Sequence, residues 1–351
     1  MQVVGLGRLI GTTCSVALML MIGWLLHVGQ PILLPVLVAV IVVYILTTAA
    51  DAMEQLPVVG RLDRRWRRLI VLLGMLVGVL ILAAFITSNA AAISAAIPDY
   101  AKNFDELQAR LLHMLGVDEL PSWARLSEQL MDMLDITNLM PVTLATITNA
   151  GSVVLAAALY AAFIIAELDS LPEKTRRALD RSEQAERTLE VVRQINERIG
   201  GYLAAKTLVN VLLGLVSLGV LWLLQIDFPI FWAIVIAILN YIPYIGSVIA
   251  VAFPVTTSLV QFASFGHATL ALVALMIPQM VVAYYIEPKF LGKSVNLSPF
   301  TVLLSLAVWT GLWGMMGAIL AIPLTAMVMI ILAELPGTRF IAVLLSATGD
   351  P

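Results

Sequence analysis

The chain has 351 residues, of which 61% are hydrophobic and only 12% charged, with a mean hydropathy of +0.98. Soluble domains carry about 25% charged residues, so a water-soluble fold is excluded and lipid must be the solvent for most of the chain. A net charge of -3 without a basic stripe excludes nucleic-acid binding, and the single cysteine, Cys14, excludes an intramolecular disulfide or a cysteine-rich metal site.

Apolar windows predict helices at 9–28, 32–50, 69–97, 147–167, 200–224 and 268–286. The first follows Arg8 in the manner of a signal peptide. A second run, Ile32 to Ala50, comes after only His27, Gly29, Gln30 and Pro31, and makes the two a helical hairpin retained in the mature protein. Segment 51–68 carries Arg61, Arg64, Arg65, Arg67 and Arg68, and segment 168–199 carries Lys174, Arg176, Arg177, Arg181, Arg187, Arg193 and Arg198. The positive-inside rule places both in the cytoplasm. Segment 98–146 is acidic and is expected outside, with the N-terminus cytoplasmic and four crossings before Glu167.

That external segment has Phe104, Leu107, Leu111 and Leu115 at helical spacing, a turn at Pro121 and a second pattern from Trp123 to Leu134. It predicts amphipathic helices lying on the bilayer or the bundle. The organisation expected is therefore N-terminal spans over 1–97, the external segment over 98–146 and a C-terminal membrane region over 147–351. In the small-residue run 147–167, Gly151, Ser152, Ala156, Ala157, Ala158, Ala161 and Ala162 permit close helix packing. The charged stretch Glu173 to Arg198, with Arg193 and Glu197 at i,i+4, predicts a solvated helix leading into the fifth span.

Two regions are too long for one ordinary crossing. Region 228–262 is interrupted by Asn240-Tyr-Ile-Pro243-Tyr-Ile-Gly246, and region 298–333 by Trp309-Thr-Gly311-Leu-Trp-Gly314-Met-Met-Gly317. Each is compatible with a kinked crossing or a re-entrant hairpin. Hairpins keep Lys289, Lys293 and Arg339 on the cytoplasmic side, together with the C-terminus, as the positive-inside rule prefers. Broken helices leave backbone groups unpaired at membrane depth, and transporters use such breaks to hold ions and polar solutes.

Polar candidates cluster late in the chain. Lys206 lies one to two turns inside the fifth span, with Asn210 one turn further, and fits either a pathway or snorkelling to the headgroups. Asp227 reads as a helix-start cap before Pro229. Glu287 and Lys289 flank Pro288, an interfacial salt bridge in the plainer reading and a coupling site in the sharper one, while Gln279 lies within the preceding span. Asn296 and Ser298 before Pro299 read as a helix start. The sequence lacks a P-loop, G-x-S-x-G, H-E-x-x-H or paired metal ligands, so neither an enzyme, a resident metal or cofactor, nor an ATP-driven pump is expected.

Asn240 to Gly246, Glu287-Pro288, Gly292-Lys-Ser-Val-Asn296-Leu-Ser-Pro299 and Gly314-Met-Met-Gly317-Ala-Ile-Leu-Ala-Ile-Pro323-Leu together resemble the autoinducer-2 exporter family of permeases, over nearly the whole chain. The resemblance implies an all-α polytopic inner-membrane protein of about eight hydrophobic segments that homo-oligomerises. Members of the family are linked to export of signalling molecules and others to sodium(lithium)/proton antiport. Where members commonly have Gly-Pro after the Ile-Pro-Tyr-Ile element, this chain has Gly246-Ser247. Lipid and a small polar solute or ion are the expected partners, with Asn240, Pro243, Gly246, Lys206, Asn210, Glu287, Gln279, Gly311, Gly314 and Gly317 as the pathway candidates. A scaffold docking through the external and charged helices is the non-transporting alternative.

Overall fold

The computed structural model describes residues 2–55, 62–115, 153–179, 181–291, 295–335 and 337–350. The turn at Pro121, the Trp123 to Leu134 pattern, Arg61, Gly151, Ser152 and Lys293 lie outside them. Among the described residues the only regular structure besides helices is one isolated antiparallel bridge, Leu297 to Ser346.

In chain order the helices are α1 (Gln2–Val28), α2 (Gln30–Ala52), α3 (Arg64–Leu115), α4 (Val153–Leu168), α5 (Leu171–Ala178), α6 (Ser182–Leu223), α7 (Pro229–Leu239), α8 (Ile245–Phe262), α9 (Phe265–Val281), α10 (Glu287–Leu291), α11 (Pro299–Glu334) and α12 (Arg339–Leu345). Six of these have the length and apolar character to cross a bilayer, and α4 with α5, bent by 70°, makes a seventh candidate. Large apolar side chains such as Trp24, Leu80 and Phe163 stand exposed. In a protein whose solvent is lipid this is the expected outcome of burying polar backbone and exposing apolar side chains. The chain is an all-α polytopic membrane protein.

One boundary differs from the sequence expectation. The third span does not stop before Pro98; α3 runs 52 residues through it. The helix continues past the last apolar turn because its far part is bonded to other elements, as described below.

Two compact units make up the chain, Met1–Thr47 with Val153–Gly200 and Val295–Pro351, and Thr48–Ser152 with Gly201–Ser294. Each contains one of the two broken regions.

In the second unit, α7 and α8 fold back on one another. A Cβ added to Gly246 would sit 1.9 Å from the Leu239 carbonyl oxygen, so only glycine lets the two helices approach this closely. The rings of Trp232 and Phe253 stack between them at 5.8 Å. The far ends meet as well: the Asp227 amide donates to Gln261 Oε1 at 2.9 Å, and Gln261 Nε2 donates to Asp227 Oδ1 at 3.1 Å. This is a helical hairpin. At 11 residues, α7 is about 16 Å long, half of a hydrocarbon core of about 30 Å. Asp227 is therefore not the helix cap that the sequence suggested; Phe228 holds the cap position without a side-chain bond, and the carboxylate instead closes the hairpin mouth.

The same mouth ties in the far part of α3. Tyr100 Oη donates to Asp227 Oδ2 at 2.8 Å and Asn103 Nδ2 donates to the Gln261 carbonyl at 3.0 Å. Burial first, and then the bond to Asp227 and its charge, push the Tyr100 hydroxyl above its ordinary range, so it stays a donor.

In the first unit, α11 is also two arms. Trp313 and Gly314 leave helical geometry, with Gly314 at φ 61° and ψ -141°, a region open to glycine alone. Trp309 Nε1 donates to Thr325 Oγ1 at 2.9 Å, although 16 residues of straight helix would separate them by about 24 Å. A Cβ on Gly317 would meet the Trp309 carbonyl oxygen at 1.9 Å. The tip is bonded to the end of α1, with Trp313 Nε1 donating to the Leu26 carbonyl at 3.0 Å and His27 Nδ1 3.3 Å from the Leu312 carbonyl. At the base, Ser298 caps its helix by accepting from the Thr301 amide at 3.2 Å, as its sequence position predicts. The Ser298 amide donates to the Leu345 carbonyl at 3.0 Å, and Arg187 Nε donates to Glu334 Oε2 at 2.9 Å.

Candidate functional site

The polar candidates of the second unit converge on the tip of the first hairpin. Lys206 and Asn210 occupy one face of α6, four residues apart, and are both buried. Toward the end of α6 the same face closes on α7. A Cβ on Gly214 would lie 3.1 Å from Ala237 Cβ and 3.2 Å from the Ala233 carbonyl oxygen, so small residues set this close approach.

The hairpin tip is built to present Asn240. Its amide and those of Tyr241 and Ile242 close the last turn of α7 onto Ile236, Ile238 and Leu239. Pro243 then ends the helix. Ile245 donates its amide to the Pro243 carbonyl at 2.6 Å, with Tyr244 between them at φ 61° and ψ -57°. That is the rare γ-turn with positive φ, a strained conformation for a residue with a side chain. It reverses the chain in the fewest residues and leaves the Asn240 side chain facing α6. Asn240 Nδ2 donates to Asn210 Oδ1 at 2.9 Å and to Glu287 Oε1 at 3.4 Å.

Glu287 reaches the site through a local irregularity. Buried Ala271, Leu275 and Gln279 define the inner face of α9, and buried Val282, the residue after it, continues that face. Five more residues of α-helix would turn Glu287 about 140° away from Val282. Residues Val282–Ile286 instead form a π turn, in which the Glu287 amide bonds to the Val282 carbonyl, so Glu287 stands nearly over the buried face. Pro288 supplies the cause: in an α-helix its ring would strike the carbonyl four residues back, that of Tyr284, and a wider turn relieves the clash.

There Glu287 accepts a charged hydrogen bond from Lys206 Nζ. The Lys206 side chain is 7% exposed and that of Glu287 27%. These positions bear on two sequence alternatives. Lys206 does not snorkel, and Glu287 pairs across the fold with Lys206 rather than locally with Lys289. Gln279 is buried on the same face of α9, and its Nε2, like Asn210 Nδ2, has no partner among the described residues. The cluster thus offers one compensated ion pair, a bridging amide and the spare amide donor of Asn210, with Gln279 eight residues before Glu287 on the same helical span.

The other candidates have structural parts. Pro243 and Gly246 shape the tip. Gly314 and Gly317 shape the second hairpin, in the other unit, and Gly311 lies on its first arm with open space around it. Three site residues went unread in the sequence. Thr207 Oγ1 and Tyr241 Oη share a hydrogen bond at 2.7 Å, and Tyr202, buried one turn before Lys206, lies within electrostatic reach of Glu287 and Tyr241. Tyr241 was inside the quoted motif; Tyr202 and Thr207 flank Lys206 on the helix and carried no other signal. Among the described residues no group of three or more His, Cys, Asp or Glu is placed to hold a metal.

A polytopic helical protein with a buried ion pair gripping the tip of a broken-helix hairpin has the anatomy of a membrane transporter, which is not an enzyme class. The AI-2E family transporter model matches residues 15–337. AI-2 transport protein TqsA of Escherichia coli is 31% identical over 78% of this chain and 78% of its own length. Two further relatives carry only a provisional transport name: one from Haemophilus influenzae, 29% identical over 77% of this chain and 78% of its own, and YhhT of Escherichia coli, 26% identical over 79% and 78%. The chain belongs to the AI-2E transporter family and is a multi-pass membrane transport protein.

Proposed function

We propose that the chain exports a small polar metabolite or signalling molecule, of the kind autoinducer-2 represents, across the bacterial inner membrane, and that the first hairpin tip is where the solute is held. The observation that carries this reading is the meeting of Lys206, Glu287, Asn240 and Asn210 at one buried point. An ion pair and bare amides inside a membrane protein are costly unless they serve a solute. The spare donor on Asn210 suits a hydroxyl, carbonyl or carboxylate oxygen.

The arginine-rich segments support cytoplasmic N- and C-termini. With that orientation the first hairpin opens outward. Asn210 lies 13 residues before the end of α6, about 20 Å down from it, so the site sits in the inner part of the bilayer. A homo-oligomer, which the family resemblance implies, is the assembly we propose.

The test is autoinducer-2 uptake into inside-out vesicles, with a panel of small polar metabolites beside it. Asn240→Ala should lower flux of the transported compound at least tenfold at equal protein level. Equal flux in the variant and the wild type would reject the site.

A further inference from the structure

We infer that Lys206 is a built-in cation standing at Glu287 in the place of a coupling alkali-metal ion, so that solute flux through this chain is independent of sodium and lithium. The inference rests on the reading of this cluster as the solute site, and deepens it by naming what neutralises the site.

Glu287 is the carboxylate of the cluster, and among the described residues no group of three or more His, Cys, Asp or Glu forms there. Divalent cations gather several oxygen ligands, carboxylates prominent among them, so this charge count suits a single monovalent cation. The Glu287 carboxylate oxygens are hard acceptors, while Asn210 Oδ1 already accepts from Asn240 Nδ2. Such oxygens suit an alkali-metal ion. The structure fills the position from within the chain, because the Lys206 ammonium, carrying the same single charge, bonds Glu287 Oε1 directly.

Two consequences follow from charge balance. With Lys206 in place, an added sodium ion would put two positive charges against one carboxylate in a poorly solvated setting, which is strongly unfavourable. Without Lys206, the partly buried Glu287 carboxylate is left without a counter-charge, and a small monovalent cation is the partner that restores balance. Lys206 therefore both supplies the cation and blocks a latent site.

The experiment is equilibrium binding of radioactive sodium to the purified full-length protein, with choline replacing sodium as control and no solute present. Wild type should show no saturable binding. Lys206→Ala should bind sodium saturably in the millimolar range, and Lys206→Ala combined with Glu287→Gln should lose that binding. Lys206→Gln, nearly isosteric, serves the same purpose should the alanine variant not fold. Saturable sodium binding by wild type that Glu287→Gln abolishes would overturn the inference, as would a folded Lys206 variant that binds none.

Wild-type flux gives a second readout that needs no variant: exchanging sodium for choline should leave the rate unchanged, and a severalfold drop would overturn the inference. Because sodium binding is read without solute, failure of the solute-site reading, seen as undiminished flux in Asn240→Ala, is separate from failure of this one.

Discussion

The two hairpins solve one backbone problem in the same way and carry different chemistry. Each reverses a helix at membrane depth, and each does so by seating a glycine on a carbonyl seven or eight residues back, Gly246 on Leu239 and Gly317 on Trp309. At the first tip stands Asn240, bonded to an ion pair. At the second stand Trp309 and Trp313, whose ring centres are 5.0 Å apart and whose N–H groups are both satisfied, by Thr325 and by the Leu26 carbonyl. Beside the first tip Asn210 Nδ2 has no partner among the described residues, while both indole N–H groups at the second are bonded. The difference teaches that a re-entrant break is a scaffold on which different side chains can be mounted, and the polar side chains left partly unsatisfied beside the first are the ground for proposing the solute there.

The largest effect should be common to both hairpins. Gly246→Ala and Gly317→Ala each place a carbon where a carbonyl oxygen already lies, at the top of the overpacking range, about 3 kcal/mol or more. Both variants should yield little monodisperse protein after detergent extraction. Normal yield of either would show that its hairpin does not close as described.

The next effect should separate the hairpins. Lys206→Met leaves the Glu287 charge uncompensated and should cost about 3–5 kcal/mol in thermal unfolding. Adding Glu287→Met should restore most of the stability but not the flux. In the second hairpin, Thr325→Val removes one neutral bond and should cost about 1 kcal/mol and leave flux nearly intact.

Backbone strain separates them in the opposite sense. Gly314→Ala should cost about 1–3 kcal/mol, since its dihedrals suit glycine alone. Tyr244→Gly removes a side chain from a strained γ-turn, and its thermal midpoint should stay close to that of the wild type. A large loss there would mean that the Tyr244 side chain, not the turn, shapes the first tip.

The smallest effect lies at the mouth of the first hairpin. Tyr100→Phe should cost about 1 kcal/mol. The Tyr100 hydroxyl is raised above its ordinary value, so its contribution is fully present below about pH 10 and is lost as pH rises further. The unfolding difference between Tyr100→Phe and wild type should therefore be flat across neutral pH and shrink only in strong alkali.

Much of this was legible in the sequence because lipid imposes simple rules. Apolar run length gave the spans, Pro243, Gly246, Gly314 and Gly317 gave the breaks, and Lys289 with Arg339 favoured hairpins over crossings. Three features were not legible. The far part of α3 passes Pro98 as helix because Tyr100 and Asn103 are bonded to the first hairpin mouth, a contact over more than 120 residues of chain. Glu287 joins Lys206 only through a π turn that no 3.6-residue period anticipates. The pairing itself joins residues 81 apart, so each charge looked interfacial when read within its own segment.

The most direct test of the central claim is the affinity of the purified protein for autoinducer-2, or for whichever panel compound it transports, in wild type, Asn240→Ala and Trp309→Phe. Loss of a hydrogen-bonding group beside a charge is worth about 1.5–3 kcal/mol, so Asn240→Ala should weaken binding roughly 10- to 100-fold, while Trp309→Phe should change it less than about twofold. Equal losses in the two variants, or a loss confined to Trp309→Phe, would contradict the assignment of the solute to the first hairpin.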